Sequence, residues 1–465
     1  MRARAPTLPE LRVEDAAFGP PASWLARHSL PVGAGLLHGD GRGAEGRYSV
    51  LCLEARETLS LRAGDADPAQ LFPALEAFAA SEHYAAPGGL SGPAPLTLCA
   101  IAYEAGRATR FPPEAHSLPL LWVARYAACY RWDHQLEEGL IISVDAPAAA
   151  SLRARLSAPG SPRPLPSLPA QLPPAPPPVT RQARYREAFE EIQRALLDGE
   201  VYQINYTLRS EAPSPPGLAP SDLYRLLSKR SPAPFGALLR LDRERSIMSF
   251  SPERLLRWSA TGHVETAPIK GTRRRGEDQR EDQQLGDELQ RSEKDLAEHL
   301  MIVDLERNDL GRVARPGSVT VRTLTALHRF PHVQHLISVV EAKLRREVGL
   351  AELLSAIFPG GSITGAPKRR AIELIERLET APREIYCGAL GYLDARGGGD
   401  LNLPIRTGWL VGDRFSYQAG GGIVADSEWD AEWEEALLKG AALGALLAAL
   451  APAASLSPVE PPPER

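Results

Sequence analysis

Two short helical spacings carry most of the chemistry this sequence offers. Asp295, Glu298 and His299 stand at i, i+3 and i+4 in SEKDLAEHLMIVDLERNDLGRV, so all three share one helix face. Later, Glu432, Glu435 and Lys439 stand at i, i+3 and i+7. Taken singly, such carboxylate pairs are usually solvated. Here they come with Lys270 in PIKGT, Arg406 in IRT, and Gly421 and Gly422 in AGGGIVADS. The combination points to Mg²⁺ and a substrate bearing carboxylates. Mg²⁺ takes oxygen ligands and keeps several waters, so one or two carboxylates per helix suffice. Arg406 and the amides of Gly421 and Gly422 suit a second substrate carboxylate. His335, alone among apolar residues in VQHLISVV, reads from spacing as a satisfied core histidine.

These residues need elements to place them. A strand over 264–269 is expected to deliver Lys270 into a Gly-Thr turn. One long helix then carries Asp295 to His299, with Leu296, Leu300 and Val303 as its packed side. PGGSITGAPK (359–368) opens a helix packed through Ala371, Leu374, Ile375 and Leu378. Pro367 falls in its first turn, with Thr364 or Gly365 as cap. IRT is expected to end a strand. Asp426-Ser427 is expected to cap a last helix packed through Trp433, Leu437 and Leu447. Upstream, Tyr185, Phe189, Ile192 and Leu196 make a helix stopped by Gly199. Strands follow over 201–209, 238–241 and 247–250, with a hairpin at Thr261-Gly262. The first third offers strands over 48–53, 96–103 and 120–132 and a helix over 69–80.

Ten of the twenty residues 159–178 are proline, which can neither pair in a sheet nor continue a helix. The stretch reads as an exposed connector. The chain therefore divides into 1–156, a linker over 157–180, a catalytic region over 181–450 and a disordered tail over 451–465. The linker need not divide the fold, since two halves can share one core across a surface loop.

The chain has 465 residues, 24% charged and 43% hydrophobic, an ordinary soluble composition. A net charge of −5 argues against a nucleic-acid surface. The four cysteines, Cys52, Cys99, Cys129 and Cys387, form no CxxC pair and read as free thiols of a reducing compartment. No stretch is apolar enough for a signal peptide or a bilayer span, so a cytoplasmic protein without membrane contact is expected.

SPER, PIKGT, SEKDLAEHLMIVDLERNDLGRV, HVQHLIS, FPGGSITGAPKRRAIELIE, IRT and AGGGIVADSEWDAEWEEALLK, in this order, resemble the chorismate-utilising enzymes. These include anthranilate, aminodeoxychorismate, isochorismate and salicylate synthases. The likeness is strong over about 185–445 and weaker in GRYSV, AYEAGR and RYAACYRWDH. It implies an α/β (α+β) fold: two facing, mostly antiparallel sheets flanked by helices, with the site between them. It also implies Mg²⁺ held by Glu298 and Glu435, with Asp295 and Glu432 flanking through metal-bound water. Thr364, Tyr386, Arg406, Gly421, Gly422 and Lys439 match substrate-pocket positions, and His335 matches an active-site histidine.

Anthranilate synthases have alanine where Lys270 stands, and lysine resembles the aminodeoxychorismate synthase branch. By that resemblance Lys270 attacks C2 of chorismate and expels the C4 hydroxyl. Ammonia then attacks C4 and releases the lysine, giving 4-amino-4-deoxychorismate, a precursor of 4-aminobenzoate and folate. Glu253 of SPER is the matching general acid. The amine must be neutral to attack, and burial with Arg273, Arg274 and Arg275 nearby is expected to lower its pKa. No cysteine sits in a GxCxG turn, so the resemblance implies a separate glutamine amidotransferase subunit supplying ammonia. The rivals are anthranilate synthase component I, with Lys270 a bystander, and a non-catalytic subunit. The family also binds tryptophan near the N-terminal sheet. Arg47, Tyr48, Pro234, Phe235 and Gly236 could line such a site, although Gly39 falls where a serine is frequent. Arg383-Glu384-Ile385, where the family often has Arg-Gly, departs from the pattern before Tyr386.

Overall fold

A computed structural model describes residues 8–166, 179–214, 217–330 and 333–450. Most of the proline-rich linker and the whole tail over 451–465 lie outside the described residues, as does the side chain of Leu447.

Among the described residues two antiparallel sheets face each other, one of eleven strands and one of ten. Period-two patterning decides which residues enter the space between them. In the Phe235–Arg240 and Arg245–Ser251 pair, Ala237, Leu239 and Ile247 point into a core shared with Leu98, Val123, Leu256 and Leu390 of the second sheet. Leu238 and Met248, one residue along, pack on the outer side against Leu25, Leu152 and Leu223 from covering helices. A third cluster joins the Val179–Leu197, Lys368–Leu378 and Trp429–Leu450 helices through Tyr185, Leu374, Ile375 and Trp433.

Both sheets take strands from either side of the linker. Gly35–His38 pairs with Phe235–Arg240 in one, and Thr97–Ile101 pairs with Ala389–Asp394 in the other. Residues that pass from sheet to sheet therefore cross the cleft. Pro252-Glu253 links Arg245–Ser251 of the first sheet to Arg254–Trp258 of the second, and 403–406 links Gly398–Asn402 back to Thr407–Val411.

Several local expectations are corrected. The stretch 120–132 forms two strands, Leu121–Tyr126 and Ala128–Asp133. The long central helix is two, Gln279–Arg291 and Glu293–Gly311, because Ser292 leaves helical geometry to cap the second: its Oγ accepts the Asp295 amide. The packed side of that second helix runs through His299, Ile302, Val303, Glu306 and Leu310, whereas Leu300 is 46% exposed. Pro367 is itself the N-cap residue of Lys368–Leu378, and no side chain caps that helix. The Thr364 hydroxyl instead donates to the carbonyls of Gly360 and Gly361, stitching its own loop.

Candidate active site

Lys270 lies inside a strand. After Pro268 the chain resumes pairing as Ile269–Arg274 against Val333–Lys343, and the register slips between Lys270, opposite Leu336, and Thr272, opposite His335. Gly271 takes up the slip with a φ of +76°, a conformation that favours glycine. The bulge sets the Lys270 amine beside Glu298, Nζ to Oε1 2.5 Å, with the lysine side chain 13% exposed.

This lysine carries its proton. Burial works against the charge, but Glu298, with Glu253 and Glu435 behind it, outweighs burial and holds the pKa above its ordinary value. The expected lowering by the arginine triplet is overturned. Arg273 is bound to Asp295 and Glu288, Arg274 to Glu281 and Arg275 to Asp282, so each arginine's field is spent on a carboxylate. The same geometry places Asp295 against Arg273, whereas Glu298 faces the amine.

Glu253 sits on the first crossover, 5% exposed. Ser362 Oγ donates to its Oε1 at 2.8 Å. Arg254 does not neutralise it, being held by Asp400 and Glu265. Burial raises the Glu253 pKa to about 7, while Ser362 and Lys270 pull it back only in part. A carboxyl poised there can give and retake a proton at neutral pH.

His335 is buried beside Thr272 and the Phe330 ring, and its pKa falls to about 4, first through burial and then through Arg406, so the ring is neutral. Nδ1 reaches Thr272 Oγ1 at 3.0 Å and the Gly271 carbonyl at 3.3 Å, which ties the ring to the bulge. Nε2 is buried with no hydrogen-bond partner among the described residues. Arg406, expected at a strand end, stands just before Thr407–Val411 on the second crossover, at a φ of +50°. Burial alone lowers its pKa, and among the described residues no carboxylate pairs with its guanidinium. Tyr386 is buried, and the next residue, Cys387, donates its amide to Pro404 on the same crossover.

The glycines of AGGGIVADS lie within the Arg414–Ile423 strand and make room for carboxylates. A methyl group on Gly421 would stand 3.3 Å from Glu432 Oε2 and 3.4 Å from Glu435 Oε1; one on Gly422 would stand 3.1 Å from Glu298 Oε1. Lys439 Nζ pairs with Glu435 Oε1 at 2.5 Å, and Ser427 Oγ donates to Glu432 Oε1 at 2.6 Å. Among the described residues no three His, Cys, Asp or Glu form a ready metal cluster. The residues nevertheless fit a hard cation. Glu298, Glu432 and Glu435 approach the same two glycines, the donors are all oxygen, and Glu432 Oε2 is buried without a partner.

Gln203 and Ser362 were not found from the sequence. Gln203 donates to Glu298 Oε1 at 2.6 Å. It shares a strand face with Asn205 and Thr207, an alternation visible in VYQINYT. Ser362 lies in PGGSITGAPK, where the glycines drew attention instead.

At the far side of the core, a cavity of about 530 Å³ is lined by Tyr48, Pro234, Phe235, Gly236 and Arg254, among others. Arg47 is not among its lining residues and is bound to Asp133. Gly39 lines it and is required there, since a methyl group would stand 2.3 Å from the Gly46 carbonyl.

With this geometry in place, comparison with known proteins becomes specific. Residues 40–444 match the chorismate binding enzyme family. The chain belongs to that family. Aminodeoxychorismate synthase component 1 of Salmonella typhimurium is 45% identical over 250 residues, 54% of each chain. Anthranilate synthase component 1 of Bacillus pumilus is 41% identical over 253 residues, 54% of this chain and 48% of that one. The chain thus spans about half the length of the curated relatives it matches. The crystal structure of anthranilate synthase component I from Streptococcus pneumoniae superposes with a TM-score of 0.70 at 26% identity, covering 87% of this chain and 93% of that one. The two facing sheets are those of this family, and no helix among the described residues is long and apolar enough to cross a membrane.

Proposed function

We propose that the protein is the chorismate-aminating component of an aminodeoxychorismate synthase, using ammonia from a separate glutamine amidotransferase subunit. The observation that carries this reading is the amine of Lys270, inside the cleft, beside Glu253 and Glu298. Alanine at that position would leave ammonia as the only nucleophile.

Lys270 first loses its proton to water, because Glu298, as a cation ligand, has to stay ionised. The neutral amine attacks C2 of chorismate; the ring double bond shifts and the C4–O bond breaks. Glu253 gives its proton to the departing hydroxide, which leaves as water. Ammonia then forms the C4–N bond, the double bond shifts back and the C2–N bond to Lys270 breaks. The new ammonium loses a proton to the Glu253 carboxylate. Arg406 pairs with a substrate carboxylate, and His335 offers Nε2 as an acceptor to a substrate hydroxyl. Glu298, Glu435 and Glu432 would hold Mg²⁺, with Asp295 outside them on Arg273; when bound, the ion supplies positive charge to a substrate carboxylate. Gln203 keeps Glu298 turned toward the lysine.

The Bacillus pumilus relative supports the rival, an anthranilate synthase component, at nearly the same identity. Incubation with chorismate, Mg²⁺ and ammonium salt decides between them. 4-Amino-4-deoxychorismate is expected. Anthranilate with pyruvate would replace this reading by the rival, and turnover that needs no ammonia would exclude both.

A further inference from the structure

Beneath Glu253 lies a second acid that the reaction above leaves unused. Glu306 is on the inner face of Glu293–Gly311, 7% exposed, one turn beyond Ile302. Thr266 Oγ1, from His263–Ala267, donates to its Oε2 at 2.7 Å. Its Cγ packs under the turn that carries Ser362: a methyl group on Gly361 would stand 3.7 Å away. Ser362 in turn holds Glu253.

Among the described residues no cation forms an ion pair with Glu306. Lys368, whose charge reaches it, is bound to Asp309 and to the carbonyls of Ile357 and Pro359. The groups acting on it are Thr266 on the strand, Glu253 on the crossover, Asp309 on its own helix and Lys368 on the next. Two buried carboxyls thus share one turn and one low-dielectric pocket. Such a pair cannot ionise twice without a large cost, so the protons belong to the pair.

We propose that Glu306 is a positioning residue that acts through Glu253: across the shared Gly361-Ser362 turn, its charge state sets how readily Glu253 holds and gives up a proton. This rests on the reading of Glu253 as the general acid. When Glu253 passes its proton to the departing hydroxide, a neutral Glu306 leaves the new carboxylate without a like charge in the same buried pocket. The proton released by the C4 ammonium then restores the pair. Burial, ahead of the Glu253 charge, moves the Glu306 pKa to about 8, just above that of its partner.

The test uses the full chain carrying Glu306→Gln, which keeps shape and neutrality, with Glu306→Met as a second variant and Glu253→Gln as reference. Turnover of chorismate with saturating ammonia is followed from pH 6 to 9.5, and buried carboxylic acids are titrated by difference infrared spectroscopy without substrate. Glu306→Gln should stay within about three-fold of wild type at pH 6.5. Above pH 8 it should lose activity with one proton where wild type loses it with two, so that at pH 9 it keeps roughly ten-fold more of its neutral rate. In the infrared it should remove one protonated carboxyl and shift the titration of the other. An unchanged spectrum apart from the lost band overturns the inference. So does an even loss of rate at every pH with the same inflection, in either variant. A fully active Glu253→Gln, by contrast, overturns the general-acid reading while leaving the infrared coupling of the pair intact.

Discussion

The cleft at Lys270 and the cavity at Tyr48 hold the same residue types in opposite conditions. In the cavity wall, Arg254 is locked by Asp400 at 2.9 Å and by Glu265 at 3.2 Å; Arg47, which does not line the cavity, is likewise bound to Asp133 at 2.8 Å. Those carboxylates raise the Arg254 pKa despite burial. In the cleft, among the described residues, no carboxylate pairs with Arg406 and no arginine with Glu253, and Lys270 has a glutamate that a ligand can compete for. Charge is settled in one region and left unsettled in the other. Unsettled charge costs stability and is available for chemistry.

Mutation can break that contrast, and the largest effect belongs to the nucleophile. Lys270→Ala should lower C4 amination by about 10³-fold or more, more than 4 kcal/mol of barrier. The mass of the intact wild-type protein, held with chorismate and no ammonia, should show an adduct that the variant lacks; an unmodified wild type under conditions of turnover would remove the covalent route. Next comes Glu253→Gln, expected to cost about 10²–10⁴-fold. The acid works when protonated, so the wild-type rate should fall as pH rises through about 7, and this variant's residual rate should not follow that limb.

On the settled side, Arg254→Ala should cost about 3 kcal/mol of stability, because Asp400 would lose its arginine, while Glu265 keeps Arg257 and Arg322. Denaturant unfolding reads that loss, and KM for chorismate should not move. A variant that instead lost chorismate affinity at unchanged stability would show that the cavity wall serves the reaction. The smallest effect is a ligand's. A cavity of about 530 Å³ suits an indole amino acid, and we propose tryptophan as its occupant. Added tryptophan should raise the melting temperature by a few degrees through binding to the folded state alone, and Gly236→Leu should abolish the rise. No shift at millimolar tryptophan would remove the proposal.

What the sequence made legible follows the range of the interactions. Helix faces read well where short-range spacing rules: Tyr185, Ile192, Leu374 and Ile375 are all buried as patterned. They read poorly where a polar residue takes the inner position. His299 is fully buried because Ser338 lies 2.6 Å from its Nε2, and that partner is 39 residues away, so Leu300 seemed the better candidate. Glu306 was overlooked for the same reason, since a glutamate inside a helix reads as a solvated one. The Lys270 bulge needed the facing strand, and the arginine triplet needed the Gln279–Arg291 helix that neutralises it. The site candidates came from their motifs; the residues that hold them in the structure, Gln203 and Ser362, carry no such motif and were passed over.

The interleaving of early and late strands has a consequence during synthesis. The edge of Thr97–Ile101 waits for Ala389–Asp394, and that of Gly35–His38 for Phe235–Arg240. A nascent chain must therefore carry unpaired, largely apolar strands through most of its translation. Folding helpers at the ribosome exit should accordingly find their longest-lived target in the first 130 residues, far from where the catalytic motifs are encoded.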